Sequence, residues 1–275
     1  TTVAVQAGNV TSLSGTATEV KAAYAADAAT TIVLDGDEAV SVSGSVSVAD
    51  ANIIAGKTSG AVTATIAEGD LTTLAGLNET GNAYTVTVTD TSATAAALTA
   101  LDAKTTVAVQ AGNVTSLSGT ATEVKAAYAA DAATTIVLDG DEAVSVSGTV
   151  SVADANIISG KTSGAVTATI ATGSYTELNA LNETNNAYAL NLNESITVDQ
   201  ANALDAKTTG VITATISIGA SATLAGLNGT GNAYTVTVTD TSATASELTS
   251  IDAATTVAVQ AGNVTSLSLS LIHIS

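Results

Sequence analysis

Short stretches in which apolar and polar residues alternate strictly recur along the chain. In one of them Val62, Ala64 and Ile66 are separated by Thr63 and Thr65. A period of two places every second side chain on the same face, so each stretch is predicted to be a β-strand with one buried face. The same alternation is found at 84–89 and 188–193.

Between these strands the spacing of apolar residues changes to three, as in Leu71, Leu74 and Leu77. This spacing places apolar side chains on one side of a helix, and it predicts a short helix after each strand. Small polar residues suited to helix capping, such as Asp90, separate the two halves. A polar turn follows each helix, and where it contains Gly or Asn, as in LNETGN at 77–82, these residues tolerate the left-handed conformations that end helices.

The strand–helix unit is repeated. Residues 1–67 recur at 105–171 with two substitutions, and shorter repeats begin every 23 residues, except that insertions at 26–37 and 130–141 lengthen two of them to 35. One such repeat cannot bury its apolar stripe unless it stacks on its neighbours. We therefore predict an α/β fold, a single-sheet solenoid of parallel β-strands and short helices with 23-residue coils, two of them extended to 35.

The alternative architecture is a string of β-sandwich modules, which the 104-residue spacing between the long copies allows. The helical spacing in every repeat argues against it. The favoured organisation is one continuous solenoid array over residues 1–268, as a fragment open at both ends. Because solenoid ends without caps leave strand edges unpaired, end-to-end self-association of the chain is expected.

The repeat pattern stops after Ser268. Leu269–Ser275 resembles one reading frame of a common sequencing-library transposase adapter. We therefore expect residues 269–275 to be a non-native, adapter-derived tail. His273, the one histidine of the chain, belongs to that tail.

Charge and composition exclude several classes of function. With 25 acidic residues against 6 basic ones, the net charge is −19, whereas nucleic-acid binding needs Lys and Arg against the phosphates. No run of about 18 apolar residues is present, so membrane insertion is not expected. Cysteine is absent, and aromatic residues make up 2% of the chain. A core of Val, Ile, Leu and Ala suits thin layers repeated many times.

No residue pattern indicates catalysis, and we expect neither an enzyme nor a cofactor. Nucleophilic catalysis needs Ser, Thr or Cys beside a base, but the one histidine lies in the predicted tail. The segment AGKTSG at 55–60 lacks the first glycine of a phosphate-binding loop. The lysines occupy equivalent positions of the repeats, four of them in the turn after a helix, where cations complement the helix dipole: Lys57, Lys104, Lys161 and Lys207.

Calcium is the one metal that the sequence admits. The densest group of carboxylates is Asp35, Asp37 and Glu38, on a loop within the first insertion. Three carboxylates together with backbone carbonyls supply the oxygen ligands that Ca²⁺ prefers. A solvated acidic turn is the simpler interpretation. The second insertion repeats the group as Asp139, Asp141 and Glu142.

Threonine dominates the polar face of the strands. Stacked parallel strands would align these residues into ranks about 4.8 Å apart, as a candidate binding face for ice or a glycan. Threonine is also simply a favourable residue on an exposed strand face. The candidate residues are Thr63, Thr65, Thr85, Thr87, Thr167, Thr169, Thr213, Thr215, Thr235 and Thr237.

Segments 84–106, YTVTVTDTSATAAALTALDAKTT, and 211–217, VITATIS, resemble the repeat regions of very long bacterial secreted or surface proteins, some of them adhesin-like. The resemblance implies an extracellular or cell-surface location and a structural or adhesive role, as a scaffold or spacer of a larger surface protein with a surface glycan or protein as its ligand. The alternative is a solenoid that binds ice, glycan or calcium through the threonine face or the acidic loops.

Overall fold

The computed structural model describes residues 3–182 and 184–269. In this part the chain is a mixed α/β protein in which short helices alternate with strands, and the strands pair mostly in parallel. The α/β class and the parallel strands are confirmed. The β-sandwich alternative is wrong, because a sandwich is built from antiparallel strands. Of the predicted tail, residues 270–275 lie outside the described residues.

The chain divides into two compact units, and the first is Thr1–Glu142. Its longest sheet has the order β2-β4-β5-β6, and β1–β3, β7–β9 and β8–β10 pair as well. Its elements are β1 (Val5–Gln6), β2 (Ser12–Thr16), α1 (Ala17–Ala28), β3 (Ile32–Val33), β4 (Ala39–Val46), α2 (Val48–Ala55), β5 (Val62–Ile66), α3 (Leu71–Leu74), β6 (Ala83–Thr85), β7 (Ser92–Thr94), α4 (Ala95–Asp102), β8 (Val109–Gln110), β9 (Ser116–Thr120), α5 (Ala121–Ala132) and β10 (Ile136–Val137).

The second unit is Ala143–Ser275. Five of its strands lie side by side in the order β11-β12-β13-β14-β15, and β16 pairs with β17. Its elements are β11 (Ala143–Val150), α6 (Val152–Ser159), β12 (Val166–Ile170), α7 (Tyr175–Leu178), β13 (Ala187–Ile196), α8 (Val198–Asp205), β14 (Ile212–Ile216), α9 (Ser221–Leu224), β15 (Ala233–Thr235), β16 (Ser242–Thr244), α10 (Ala245–Ala254) and β17 (Ser266–Ser268).

Neighbouring strands pair residues of successive repeats. Val40 lies opposite Val62, and Val46 lies opposite Ile66, so the separation in sequence changes from 22 to 20 residues within one pair of strands. A bulge in β4 takes up the difference, with Gly44 at φ +75°, a conformation that favours glycine. Strands β11 and β13 show the same change in register.

The alternating pattern identifies the buried face correctly. Val62, Ala64 and Ile66 are buried, and Thr63 and Thr65 are exposed. The core of each unit consists of these strand residues together with buried apolar residues from the helices. Most helices supply leucine or isoleucine, such as Leu74, Leu98, Leu178, Leu204 and Ile251, whereas α1 and α5 supply valine and tyrosine. Each repeat therefore contributes one thin layer of mostly aliphatic side chains.

Two features differ from the sequence prediction. The strand expected over 84–89 is shorter, because β6 ends at Thr85 and only a single bridge, between Thr87 and Gln110, continues the pairing. The insertion 26–37 is more than a loop. Its first residues extend α1 to Ala28, and Ile32–Val33 pair with Val5–Gln6.

Threonine ends both long helices in a conformation that favours glycine. Thr134 has φ +60° beyond α5, and Thr30 has φ +55° beyond α1. The left-handed region costs a residue with a Cβ about 1 kcal/mol.

We expect Thr134→Gly to raise the free energy of unfolding by about 0.5–1 kcal/mol, because glycine adopts this conformation without steric cost. Urea unfolding followed by circular dichroism measures the change. Ala133→Gly is the matched control, since Ala133 has φ −84° and should lose stability. Equal losses in both variants would contradict the prediction.

Candidate functional site

The predicted calcium ligand Glu38 is a buried structural residue. Its carboxylate accepts hydrogen bonds from the Gly36 N–H at 3.2 Å and from the Tyr24 hydroxyl at 3.4 Å. Burial and the neighbouring Glu38 carboxylate raise the pKa of Tyr24 to about 12, so this hydroxyl remains a donor at physiological pH. Tyr24 lies on α1, the helix that is lengthened in this repeat.

The repeats explain why a carboxylate occupies this position. Glu38 and Tyr84 stand at equivalent positions 46 residues apart, and both are fully buried. Glu38 directly precedes β4 and is reached by the tyrosine of the long helix. In the repeat 46 residues further on, which has no long helix, β6 carries the tyrosine itself. Glu142 repeats the arrangement and accepts from the Gly140 N–H at 3.1 Å and from the Tyr128 hydroxyl at 3.2 Å.

The remaining carboxylates of the acidic loops lie at the surface and not beside the buried Glu38 and Glu142. Asp35 and Asp37 are exposed, and the Asp35 carboxylate lies against Gly8, where an added Cβ would be 2.5 Å from its Oδ1. Asp139 lies against Gly112 in the same way, and Asp141 is exposed. Within residues 3–182 and 184–269, no group of three or more carboxylate, imidazole or thiolate side chains could hold a metal ion. Calcium binding by these loops therefore stays a prediction.

The threonine face is exposed, but its register differs from the expected ranks. Thr65 lies opposite Thr85, whereas Thr63 lies opposite Ala83. In the second unit Thr215 lies opposite Thr235, and Thr213 and Thr167 lie opposite Ala233 and Ala187. Thr169 lies opposite Ala189, and Thr87 and Thr237 bridge to Gln110 and Gln260. On the other side of these strands Thr63 lies opposite Ser41 and Thr213 lies opposite Asn191, so the rows mix Thr with Ala, Ser, Asn and Gln.

A recurrent set of buried polar side chains was missed by sequence reasoning. Three asparagines, each at most 4% exposed, accept a hydrogen bond from the first backbone N–H of the preceding strand. The bonds are Val62 N–H to Asn82 Oδ1 at 2.8 Å, Val166 N–H to Asn186 Oδ1 at 2.7 Å, and Ile212 N–H to Asn232 Oδ1 at 2.9 Å.

In the alternate repeats, threonine hydroxyls bond to the backbone of the preceding strand. The Thr208 hydroxyl accepts from the Tyr188 N–H and donates to the Tyr188 carbonyl, both at 2.8 Å. Thr105 and Thr255 hold the backbones of Tyr84 and Tyr234 in the same way. Asn and Thr thus alternate with a period of two repeats. The 46-residue spacing of Asn186 and Asn232 is the signal in the sequence that could have revealed this.

A second set of asparagines links each helix to the next turn. Asn52 donates from Nδ2 to the Gly76 carbonyl at 2.7 Å and accepts from the Asn78 N–H at 3.0 Å. Asn156 and Asn202 make the same pair of bonds to their own following turns. Because each asparagine makes two hydrogen bonds to the backbone of the following turn, it fixes the position of one repeat relative to the next.

Acidic side chains cap helices of the preceding repeat. The N–H of the first helical residue donates to a carboxylate 19 or 20 residues further along: Val48 to Glu68, Leu71 to Asp90, Tyr175 to Glu194 and Ser221 to Asp240. Negative charge at a helix N-terminus is favourable, because free N–H groups and the helix dipole meet it there. Part of the strong acidity of the chain therefore has a structural role.

Capping boxes begin half of the described helices. In α7 the Ser174 hydroxyl accepts from the Glu177 N–H, and the Glu177 carboxylate accepts from the Ser174 N–H at 2.8 Å. The backbone N–H, and then the hydroxyl, lower the pKa of Glu177. Equivalent bonds lower the pKa of Glu19, Glu123 and Glu247. In α8 the uncharged Gln200 fills the same position.

These lowered pKa values predict a loss of stability in acid. The unfolded carboxyls titrate near their ordinary value of 4.5, so their contribution is fully present above that pH and is lost as the pH falls through the lower folded values. A variant with Gln at positions 19, 123, 177 and 247 should show a smaller decrease in the urea midpoint between about pH 5 and pH 3 than the parent chain. Parallel decreases in both chains would contradict this role.

The described helices are too short to cross a membrane, since the longest, α1 and α5, have 12 residues each. The chain matches no family model, no curated protein and no solved structure. The likeness of segments 84–106 and 211–217 to bacterial surface repeats therefore stays a prediction from the sequence.

Proposed function

We propose that the chain is a structural repeat scaffold, a solenoid of 23-residue coils that acts as a spacer with an adhesive role in a larger extracellular or cell-surface protein. The observation that carries this proposal is that the polar side chains form hydrogen bonds between adjacent repeats. The buried asparagines and threonines, the linking asparagines and the capping carboxylates all bond to the backbone of an adjacent repeat, and they do so at equivalent positions.

The strand register supports the solenoid. Residues 20 to 27 apart in sequence lie opposite one another in parallel neighbours, which is the separation expected when each repeat adds one strand to the same face. A protein built this way gains length by adding repeats, and each added repeat forms the same interactions as the last.

Surface charge fits the same role. The net charge of −19 favours solubility and keeps copies apart in a crowded surface layer. The alternative function, binding of ice, glycan or calcium, has less support, because the threonine rows are interrupted and Glu38 and Glu142 are committed to internal hydrogen bonds.

Insertion of two repeats tests the proposal. The chain has no cysteine, so Thr169→Cys on β12 and Thr235→Cys on β15 give two unique spin-label sites on an exposed face of the second unit. These strands are three steps apart, about 14 Å at the spacing of neighbouring strands. A second copy of residues 187–232 inserted after Asn232 should add two strands and lengthen the distance between the labels by about 10 Å.

A scrambled insert of the same 46 residues is the matched control, and it should broaden the distance distribution instead of shifting it. An unchanged or broad distribution for the true copy would overturn the solenoid and with it the spacer function. Location is tested separately, by labelling intact source cells with an antibody against segment 84–106.

A further inference from the structure

A groove lies between helices α1 and α2 of the first unit. Its volume is about 260 Å³, and α1 lines it with a stripe of residues spaced by three and four, Lys21, Tyr24, Ala25 and Ala28. This spacing places the four residues on one side of α1, and α1 packs against α2. At the rise of an α-helix the stripe is about 10 Å long, which is the length of a short extended alkyl chain.

The walls of this groove are mainly apolar. Ile53 and Ile54 line it from α2. Tyr24 contributes its ring, because its hydroxyl donates to the buried Glu38 carboxylate at 3.4 Å. Among the described residues that line the groove, only the two lysines add further polar groups. A hydrocarbon chain therefore fits the groove better than a sugar does, since a sugar needs several hydrogen-bond partners.

Ile53 is an unusual residue for its position in the repeat. It is 50% exposed, and within the described helices only Ile53 and its copy Ile157 are exposed large apolar residues. The other 23-residue repeats carry small or polar residues at this position: Gly76, Thr99, Ala180, Ala203, Gly226 and Thr249. Those residues show that the fold does not need isoleucine here. An exposed apolar side chain in a groove is what an apolar ligand would cover.

The two lysines of the groove differ in their partners. Lys21 forms an ion pair with Asp50, with 2.5 Å between Nζ and Oδ1. Lys57 follows α2, is exposed, and makes no side-chain hydrogen bond or ion pair within the described part of the chain. The chain as a whole has a net charge of −19. An unpaired ammonium beside an apolar groove is complementary to a ligand that joins a hydrocarbon chain to an anionic group.

We propose that the groove between α1 and α2 binds the anion of a medium-chain fatty acid. The alkyl chain lies along Ala25, Ala28 and Ile53, and the carboxylate pairs with the ammonium of Lys57. The groove is too small for a helix of a partner protein, whereas a single short alkyl chain fills it. This binding site lies within the first unit and is independent of the proposed spacer function, so the spin-label experiment can succeed or fail without it.

Methyl NMR of the 275-residue chain tests the proposal with octanoate as the probe, at concentrations below those at which it forms micelles. Titration should shift the methyl signals of Ile53 and Ile54 in a saturable way. Butyrate should bind about tenfold more weakly, because it buries fewer methylene groups. Octanol has the same chain without the charge, and it should bind about fivefold more weakly than octanoate. Equal affinity for octanoate and butyrate would overturn the proposal.

Lys57→Gln tests the role of the charge. It should weaken octanoate binding about fivefold and leave octanol binding unchanged, because only octanoate pairs with the ammonium. Lys104→Gln is the matched control, since it removes the same charge from another turn after a helix, and it should alter neither affinity. Equal weakening of octanoate binding in the two variants would mean that only the net charge matters, and it would exclude Lys57 as the carboxylate partner.

Ile53→Thr tests the apolar wall, with the Ile54 methyl as the reporter. Threonine is the residue of two other repeats at this position, so the urea midpoint should stay close to that of the parent. Binding of both octanoate and octanol should weaken about tenfold. Ile218→Thr is the control, because Ile218 is 70% exposed and lies in the second unit. Unchanged binding in Ile53→Thr would overturn the proposal. So would Ile53 methyl shifts that depend on protein concentration without ligand, which would assign the groove to a contact between copies.

Discussion

Gly210→Ala is expected to destabilise the second unit by about 3 kcal/mol, the upper end of the usual effect of overpacking. Gly210 lies in the turn before β14, directly above the backbone of Tyr188. A Cβ added there would lie 2.6 Å from the Tyr188 carbonyl carbon and 3.0 Å from its nitrogen. These are backbone atoms that cannot easily move away, because the Thr208 hydroxyl bonds to both the N–H and the carbonyl of Tyr188.

Urea unfolding followed by circular dichroism measures the loss. Gly262→Ala is the matched control, since an added Cβ at Gly262 meets no atom within 4 Å. The control should change the midpoint little. A loss in Gly210→Ala no larger than in the control would mean that neighbouring repeats can move apart, and that the close approach of Gly210 to Tyr188 does not set their spacing.

Asn232→Ala is the second large expected effect, a loss of about 2–3 kcal/mol. The Asn232 side chain accepts from the Ile212 N–H at 2.9 Å and donates to Asp205 Oδ1 at 2.9 Å. Truncation leaves the N–H at the start of β14 buried without a partner and takes a donor away from a carboxylate, and both changes carry a desolvation cost.

Hydrogen exchange distinguishes a local effect from a global one. The Ile212 amide should exchange faster in Asn232→Ala, while the Val166 amide, which is held by Asn186 in the same unit, should remain protected. Asn263→Ala, at an exposed turn residue, should alter neither amide. Equal acceleration at both amides would show that the asparagine stabilises the unit as a whole and not the one strand that it contacts.

The candidate sites illustrate the limit of reasoning from the sequence. The acidic loops were identified by the density of carboxylates, but Glu38 turns inward because Tyr24 from the lengthened α1 reaches it as a donor. That hydrogen bond joins residues 14 apart across a helix, a turn and a strand. The threonine face is likewise exposed, but its rows are aligned only in part, because Thr65 lies opposite Thr85 whereas Thr63 lies opposite Ala83.

The sequence by itself determined the α/β class, the alternation of strands and short helices, and the identity of the buried strand residues. It did so because these depend on periodicities of two and three, which are local. Residues 105–171 also copy residues 1–67 with only two substitutions, so the interactions within one copy are expected in the other.

Only the tertiary structure decided how the repeats hold one another. The asparagine and threonine bonds to neighbouring backbones, the carboxylates that cap the preceding helix, and the close approach of Gly210 to Tyr188 all join residues 19 to 26 apart. Their partners are main-chain atoms, which have the same chemistry at every position. No pattern of side chains in the sequence specifies which N–H or carbonyl will lie within reach until the register of the strands has placed it there.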